Sequence, residues 1–83
     1  MNFEVIHVSR GHMILRSEDK RLRVLGEALI ASAPTDPSYI IYLNSLNNWE
    51  VPRGVALTEI EKQEVINEIR KHFQERGSVV EFE

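Results

Sequence analysis

The first 25 residues alternate between apolar and polar positions in three short runs. Residues 2–8 and 12–16 are rich in β-branched and other apolar side chains, and a turn around Gly11 separates them. After a polar turn at residues 17–20, residues 21–25 (RLRVL) place apolar side chains on one face and arginines on the other. Period-two alternation is typical of half-buried strands. The pattern therefore predicts a three-stranded antiparallel meander.

The middle of the chain gives two weaker signals. Residues 27–33 favour a helix by intrinsic propensity, and Pro34 would end it, so we predict one or two helical turns there. Pro34 and Pro37 then bracket an irregular bend. Residues 39–43 (YIIYL) are apolar at every position. Such a run is typical of a central strand that is covered on both faces.

A long amphipathic helix is predicted after Thr58. Thr58 and Glu61 have the spacing of a capping box, and Gly77 stands where a left-handed C-cap is expected. The predicted buried face comprises Val65, Ile66, Ile69 and Phe73, and the predicted opposite face comprises Glu61, Glu64, Glu68 and Glu75. After Gly77 the segment SVVEFE alternates again, which predicts a last strand.

The order of these elements predicts the fold class. One small domain over residues 1–83 is expected, with a two-layer α+β architecture. An N-terminal antiparallel β-meander is followed by a β-loop-α-β unit, which gives a mixed sheet of about five strands with one main helix packed on one face. The unit from Tyr39 to Phe82 is expected to form a right-handed crossover between two parallel strands.

Composition and charge exclude several classes of protein. The chain has no cysteine, which excludes disulfides, thiolate metal sites and a cysteine nucleophile. The formal net charge is −3, and residues 1–26 carry +2 whereas residues 27–83 carry −5. No secretory signal and no apolar run long enough to span a bilayer are visible, so a cytoplasmic location is expected by default.

The residues that carry chemistry form no recognisable catalytic constellation. There is no glycine-rich phosphate loop and no G-x-S-x-G elbow. The histidines His7, His12 and His72 lack the paired spacing of a zinc motif, although His7 and His12 could face each other across the first hairpin. We therefore predict no enzyme, no cofactor and no metal. The basic residues of the meander, Arg16, Arg21 and Arg23, lack interleaved aromatic side chains, so nucleic-acid binding is not expected.

Trp49 is the only tryptophan, and it lies in a stretch without clear periodicity, residues 44–57. Irregular connections of this length are often functional, and tryptophan is a frequent interface anchor. Alternatively, Trp49 folds back as a lid on the core beside Val51 and Leu57. Both can hold, because a buried indole can fix the loop while its neighbours contact a partner. The acidic helix face is likewise either solvated surface or a dock for a basic protein.

The segments YIIYLNSLNNWEVP and LTEIEKQEVINEIRKHFQERGSVVEFE together resemble the small α+β immunity proteins of bacterial polymorphic-toxin systems. The shared features are a hydrophobic strand, an Asn-rich turn leading to Trp49-Glu50-x-Pro52, a capped helix and an acidic strand that follows a glycine. The resemblance implies a non-catalytic inhibitor that binds a cognate toxin and needs no cofactor. Many such toxins are nucleases with basic active sites, which an acidic surface would attract. The predicted partner-binding residues are Trp49, Glu50, Glu61, Glu64, Glu68 and Glu75.

Two other classes of function stay open. The chain could be a general interaction module that forms a homodimer through an exposed edge strand, either NFEVIHV or SVVEFE. It could also be a small ligand- or metal-binding domain that uses His7 and His12. The acidic half of the chain and the absence of a catalytic motif favour the toxin inhibitor.

Overall fold

The computed structural model describes residues 3–83 and contains a five-stranded sheet with one long helix, α1 (Glu59–Glu75). The strands are β1 (Glu4–Val8), β2 (His12–Ser17), β3 (Lys20–Ala28), β4 (Pro37–Ile41) and β5 (Val79–Phe82), and they lie in the sheet in that order. β1 to β4 pair antiparallel with their neighbours, whereas β4 and β5 are parallel. The predicted α+β fold with a mixed five-stranded sheet is confirmed.

The predicted helical turns at residues 27–33 are wrong, because β3 continues to Ala28. Glu27 pairs with Ile40 and Ala28 pairs with Tyr39 of β4. Gly26 makes this pairing possible: a Cβ at this position would overlap the Tyr39 ring and the Ile40 carbonyl oxygen. Backbone pairing with a distant strand therefore overrides the local helix propensity of this segment.

β4 is an interior strand of the sheet, as its apolar sequence predicted, but it is covered on one face only. Tyr39 and Ile41 are buried, whereas Ile40 between them remains partly exposed. Within residues 3–83 no second layer lies on that side of the sheet. The strand also ends at Ile41, and Leu43 belongs to a short 3₁₀ turn, Leu43–Ser45.

The ends of α1 form as the sequence predicts. The Thr58 N–H donates to Glu61 Oε1 at 2.9 Å, and the Glu61 N–H donates to Thr58 Oγ1 at 3.1 Å. Together these bonds satisfy two backbone donors that the first helical turn leaves without partners. At the other end Gly77 adopts φ 67°, the left-handed conformation of a C-cap.

The core lies between α1 and one face of the sheet. Its buried side chains are Met13, Leu15, Leu22, Val24, Tyr39 and Ile41 from the strands, Val65, Ile69 and Phe73 from α1, and Phe3, Leu46, Trp49 and Leu57 from connecting segments. The strand residues that alternate with these point away from α1. We call that surface the open face: Glu4, His7, His12, Ile14, Arg16, Arg21, Arg23, Leu25, Glu27, Ile40 and Glu81.

Candidate functional site

The segment that follows the 3₁₀ turn forms a small hairpin fastened to the edge of β3. The Trp49 N–H donates to the Val55 carbonyl oxygen at 2.9 Å, and the Leu57 N–H donates to the Asn47 carbonyl oxygen at 2.9 Å. We call residues 47–57 the Trp49 hairpin. Because β4 pairs only with the last three residues of β3, the edge of the first half of β3 is available to this hairpin. The Arg21 N–H donates to the Val51 carbonyl oxygen at 2.8 Å.

Trp49 anchors this hairpin to the core. Its side chain is 2% exposed and stacks on Phe3, with ring centroids 5.6 Å apart and planes inclined by 14°. The Lys20 ammonium group lies 5.2 Å from the centre of the indole ring, within the range of a cation–π interaction. Trp49 therefore folds back as a lid on the core, which is the second of the two interpretations drawn from the sequence. Burial of the indole leaves Glu50 and residues 51–56 nearer the surface.

Glu50 is held on the open face by two arginines. Its Oε1 accepts from Arg21 Nη2 at 3.1 Å, and its Oε2 accepts from Arg23 Nε at 3.2 Å. The hydrogen bond from Arg23, aided by the positive charge of both guanidinium groups, lowers the pKa of Glu50. The pairing of Glu50 with these arginines could not be predicted from the sequence, because it depends on the hairpin lying beside β3.

The four glutamates of the predicted acidic stripe do not all lie on the face opposite the core. Glu61, Glu64 and Glu68 are partly buried along the flank of the core-facing side, and only Glu75 is exposed. A stripe with a spacing of three, four and seven can border the buried face as well as oppose it, and exposure alone separates the two cases. The other exposed residues of α1, apart from Glu59 in the first turn, are neutral or basic, among them Gln63, Asn67 and Lys71.

Glu61 has a structural part in the fold. Besides capping α1, its Oε2 accepts from Lys20 Nζ at 3.3 Å, and its side chain is 12% exposed. The hydrogen bond from the Thr58 backbone, followed by the contact with Lys20, lowers the pKa of Glu61. Glu61 thus ties the start of α1 to the start of β3, next to Trp49.

The six predicted partner-binding residues therefore do not form one continuous surface. Glu50 lies with the open face of the sheet, whereas the helical glutamates belong to the layer on the other side. A partner that contacts both groups must reach around an edge of the sheet.

The opposite end of the open face is acidic. Glu27, Ile40 and Glu81 occupy one row across β3, β4 and β5. Tyr42 donates its hydroxyl hydrogen bond to Glu27 Oε2 at 2.9 Å, and this bond, with the nearby charge of Glu83, raises the pKa of Tyr42. The alternation in SVVEFE was visible in the sequence, but the position of Glu81 in the same row as Glu27 depends on the strand order.

The first hairpin brings two histidines together. The rings of His7 and His12 are 5.4 Å apart, so these residues face each other as the metal-binding alternative required. Ser9 Oγ lies 2.9 Å from His12 Nδ1. Within residues 3–83, however, no three His, Cys, Asp or Glu side chains are placed to hold a metal ion together. In the same part of the chain, no helix has the length and apolar character needed to cross a membrane.

Acid should destabilise the fold, and His72 should contribute the first part of the loss. Burial, with the charge of Arg76, lowers the pKa of His72 against the opposing effect of Glu75 and Glu68. The unfolded chain therefore takes up this proton first as pH falls, so the free energy of unfolding decreases below the ordinary histidine range, about pH 6.5. Urea unfolding at pH 7.5, 6.5 and 5.5 measures this loss.

Replacing the histidine gives the control for this prediction. His72→Gln should flatten the stability profile between pH 7.5 and 5.5. Further loss should persist below about pH 4.5 in both proteins, because the lowered pKa values of Glu50 and Glu61 stabilise the fold only while those groups are ionised. A wild-type protein that is equally stable at pH 7.5 and 5.5 would contradict the prediction.

The site combines a two-layer α+β scaffold, one uncovered sheet face and a hairpin that a buried tryptophan holds to the core. The model of the Immunity protein 74 family matches residues 5–83. The match covers nearly the whole chain, so the chain belongs to the Immunity protein 74 family, and the resemblance to immunity proteins drawn from the residues is confirmed. No curated protein and no solved structure matches the chain.

Proposed function

We propose that this chain is a non-catalytic inhibitor that binds a cognate bacterial toxin and neutralises it in the cytoplasm of the producing cell. The observation that carries the proposal is the family match over residues 5–83. The geometry supports it, because the open face offers an uncovered surface flanked by a hairpin that the core holds in place. A large, preformed surface is what a protein inhibitor needs in order to bind with little reorganisation.

We assign the predicted partner-binding residues to two kinds of role. Trp49 and Glu61 position the surface, since the indole is buried and the carboxylate caps α1 and contacts Lys20. Glu50 contacts the toxin on the open face, together with the arginines that hold it. Glu64, Glu68 and Glu75 form a second, acidic contact along α1, which suits a toxin with a basic surface.

Growth protection tests the function. The toxin encoded next to this gene is expressed from an inducible promoter, with and without the present chain. Co-expression should restore colony formation to the level of an uninduced culture. Loss of viability despite abundant, folded protein would show that the chain does not neutralise that toxin.

A pair of double variants tests the acidic helical contact. Glu64→Gln with Glu68→Gln raises the net charge by two, and Gln63→Lys with Asn67→Lys makes the same change at the same spacing on the exposed side of α1. If the acidic flank contacts the toxin, the first variant should protect less well than the second. Equal protection by both variants would show that Glu64 and Glu68 do not contact the toxin.

A further inference from the structure

The open face contains a depression that is lined by both charged and apolar side chains. It has a volume of 360 Å³ and is lined by Ile6, His7, Ile14, Arg21, Arg23 and Glu50. The register places His7, Ile14 and Arg23 in one row across three strands, and Arg16 pairs with Arg21 in a neighbouring row. The depression thus lies where β1, β2, β3 and the Trp49 hairpin meet.

The two arginines are held in place and still have donors to offer. Arg21 donates a hydrogen bond to Glu50 through Nη2, and Arg23 donates one through Nε. Each guanidinium group thus uses one of its five N–H donors for Glu50. Their side chains are 47% and 52% exposed. A planar guanidinium that is already oriented loses less entropy when it binds a second acceptor, and its fork matches a carboxylate.

The local charge limits what can bind there. Arg16, Arg21 and Arg23 carry three positive charges, while Glu4 pairs with Arg16 and Glu50 pairs with the other two. One net positive charge remains. One carboxylate neutralises it, whereas a nucleic-acid strand would bring several phosphates against two fixed carboxylates. Among the described residues, no aromatic ring of Phe, Tyr or Trp lines the depression to stack on a base.

We infer that this depression binds a single carboxylate side chain, an aspartate or glutamate presented by the toxin. The carboxylate accepts hydrogen bonds from Arg21 and Arg23, while Ile6 and Ile14 contact the apolar atoms beside it. This inference rests on the proposed function, and it assigns the open face a contact opposite in sign to that of the helical glutamates. The toxin then needs an acidic residue near its surface, whatever the charge of its active site.

Calorimetric titration with the purified toxin encoded next to this gene tests the inference. Arg21→Gln and Arg23→Gln should each raise Kd by about 30-fold or more, the cost typical of removing one partner from a desolvated ion pair. Lys71→Gln, which makes the same charge change on the exposed side of α1, should change Kd by less than about fivefold. Circular dichroism of each variant should match the wild type, and thermal melting should show at most a small loss, since ion pairs of half-exposed arginines contribute little to stability.

A scan of the toxin identifies the carboxylate. One surface aspartate or glutamate, changed to its amide, should weaken binding as much as Arg23→Gln does, and combining the two changes should add little further loss. If the wild type binds the toxin and the arginine variants bind equally well, the inference is wrong while the proposed function stands. If the wild type neither binds nor protects, both fail.

Two other occupants of the depression give different results. In one test, labelled single-stranded and duplex oligonucleotides are added at physiological salt. If the wild type binds them and the double variant Arg21→Gln with Arg23→Gln does not, the inference is overturned in favour of nucleic acid. A dimer by light scattering that the same double variant converts to monomer would overturn it in favour of a second copy of this chain. Neither behaviour is expected of the wild type.

Discussion

Trp49→Ala should lower the free energy of unfolding by about 3–5 kcal/mol, the usual cost of truncating a large buried aromatic side chain. An 83-residue domain has a total stability of roughly 4–12 kcal/mol, so this change removes a large part of it. The loss arises because the stacking on Phe3 disappears and the Trp49 hairpin loses its attachment to the core. Urea denaturation followed by circular dichroism gives the measurement.

Trp49→Phe separates a positioning role from direct contact with the toxin. A phenyl ring keeps the stacking on Phe3, and it removes the buried Nε1–H, which has no hydrogen-bond partner among residues 3–83. We expect this variant to lose less than about 2 kcal/mol of stability and to protect cells as the wild type does. Normal stability combined with lost protection would show that the indole itself meets the toxin.

Gly26→Ala should destabilise the protein by about 2–3 kcal/mol, at the upper end of overpacking effects. The new Cβ would overlap the Ile40 carbonyl oxygen and the Tyr39 ring, and the carbonyl is part of the backbone of β4, so it has little freedom to move. The pairing of β3 with β4 must therefore open or shift. A domain of this size should lose roughly 10–20 °C in Tm, measured by thermal melting.

Gly11→Ala is the matched control for this prediction. A Cβ at Gly11 would meet nothing within 4 Å. The substitution also reduces the conformational freedom of the unfolded chain, so it should leave stability unchanged or raise it slightly. If both glycine variants melt within a degree or two of the wild type, the close approach of β3 and β4 is not required for folding.

The parts of the fold that the sequence predicted well depend on signals within a few residues of each other. The capping box of Thr58 and Glu61, the C-cap at Gly77 and the alternation in β3 each form with local partners, and the helix and the meander follow from them. The prediction of helical turns at residues 27–33 was wrong because the deciding contacts are not local. Glu27 and Ala28 pair with residues of β4 that lie more than ten positions further along the chain.

The candidate site was less predictable, because its contacts join distant segments. Glu50 was singled out through the Trp-Glu-x-Pro step, yet its partners, Arg21 and Arg23, precede it by nearly thirty residues. The sequence left Trp49 open between a lid and an interface anchor, since composition does not reveal that Phe3 lies against its ring. The helical glutamates could be assigned to a stripe, but whether that stripe flanks or opposes the core depended on how α1 rotates on the sheet.

Because Trp49 is the chain's single indole and lies against Phe3 beneath Lys20, it serves as a built-in optical reporter. Its emission comes from one known place, where the hairpin meets the core, and needs no attached dye. A red shift would signal that water has reached the ring, and so that the hairpin has detached. Titrations with acid or denaturant can then be followed through one intrinsic signal.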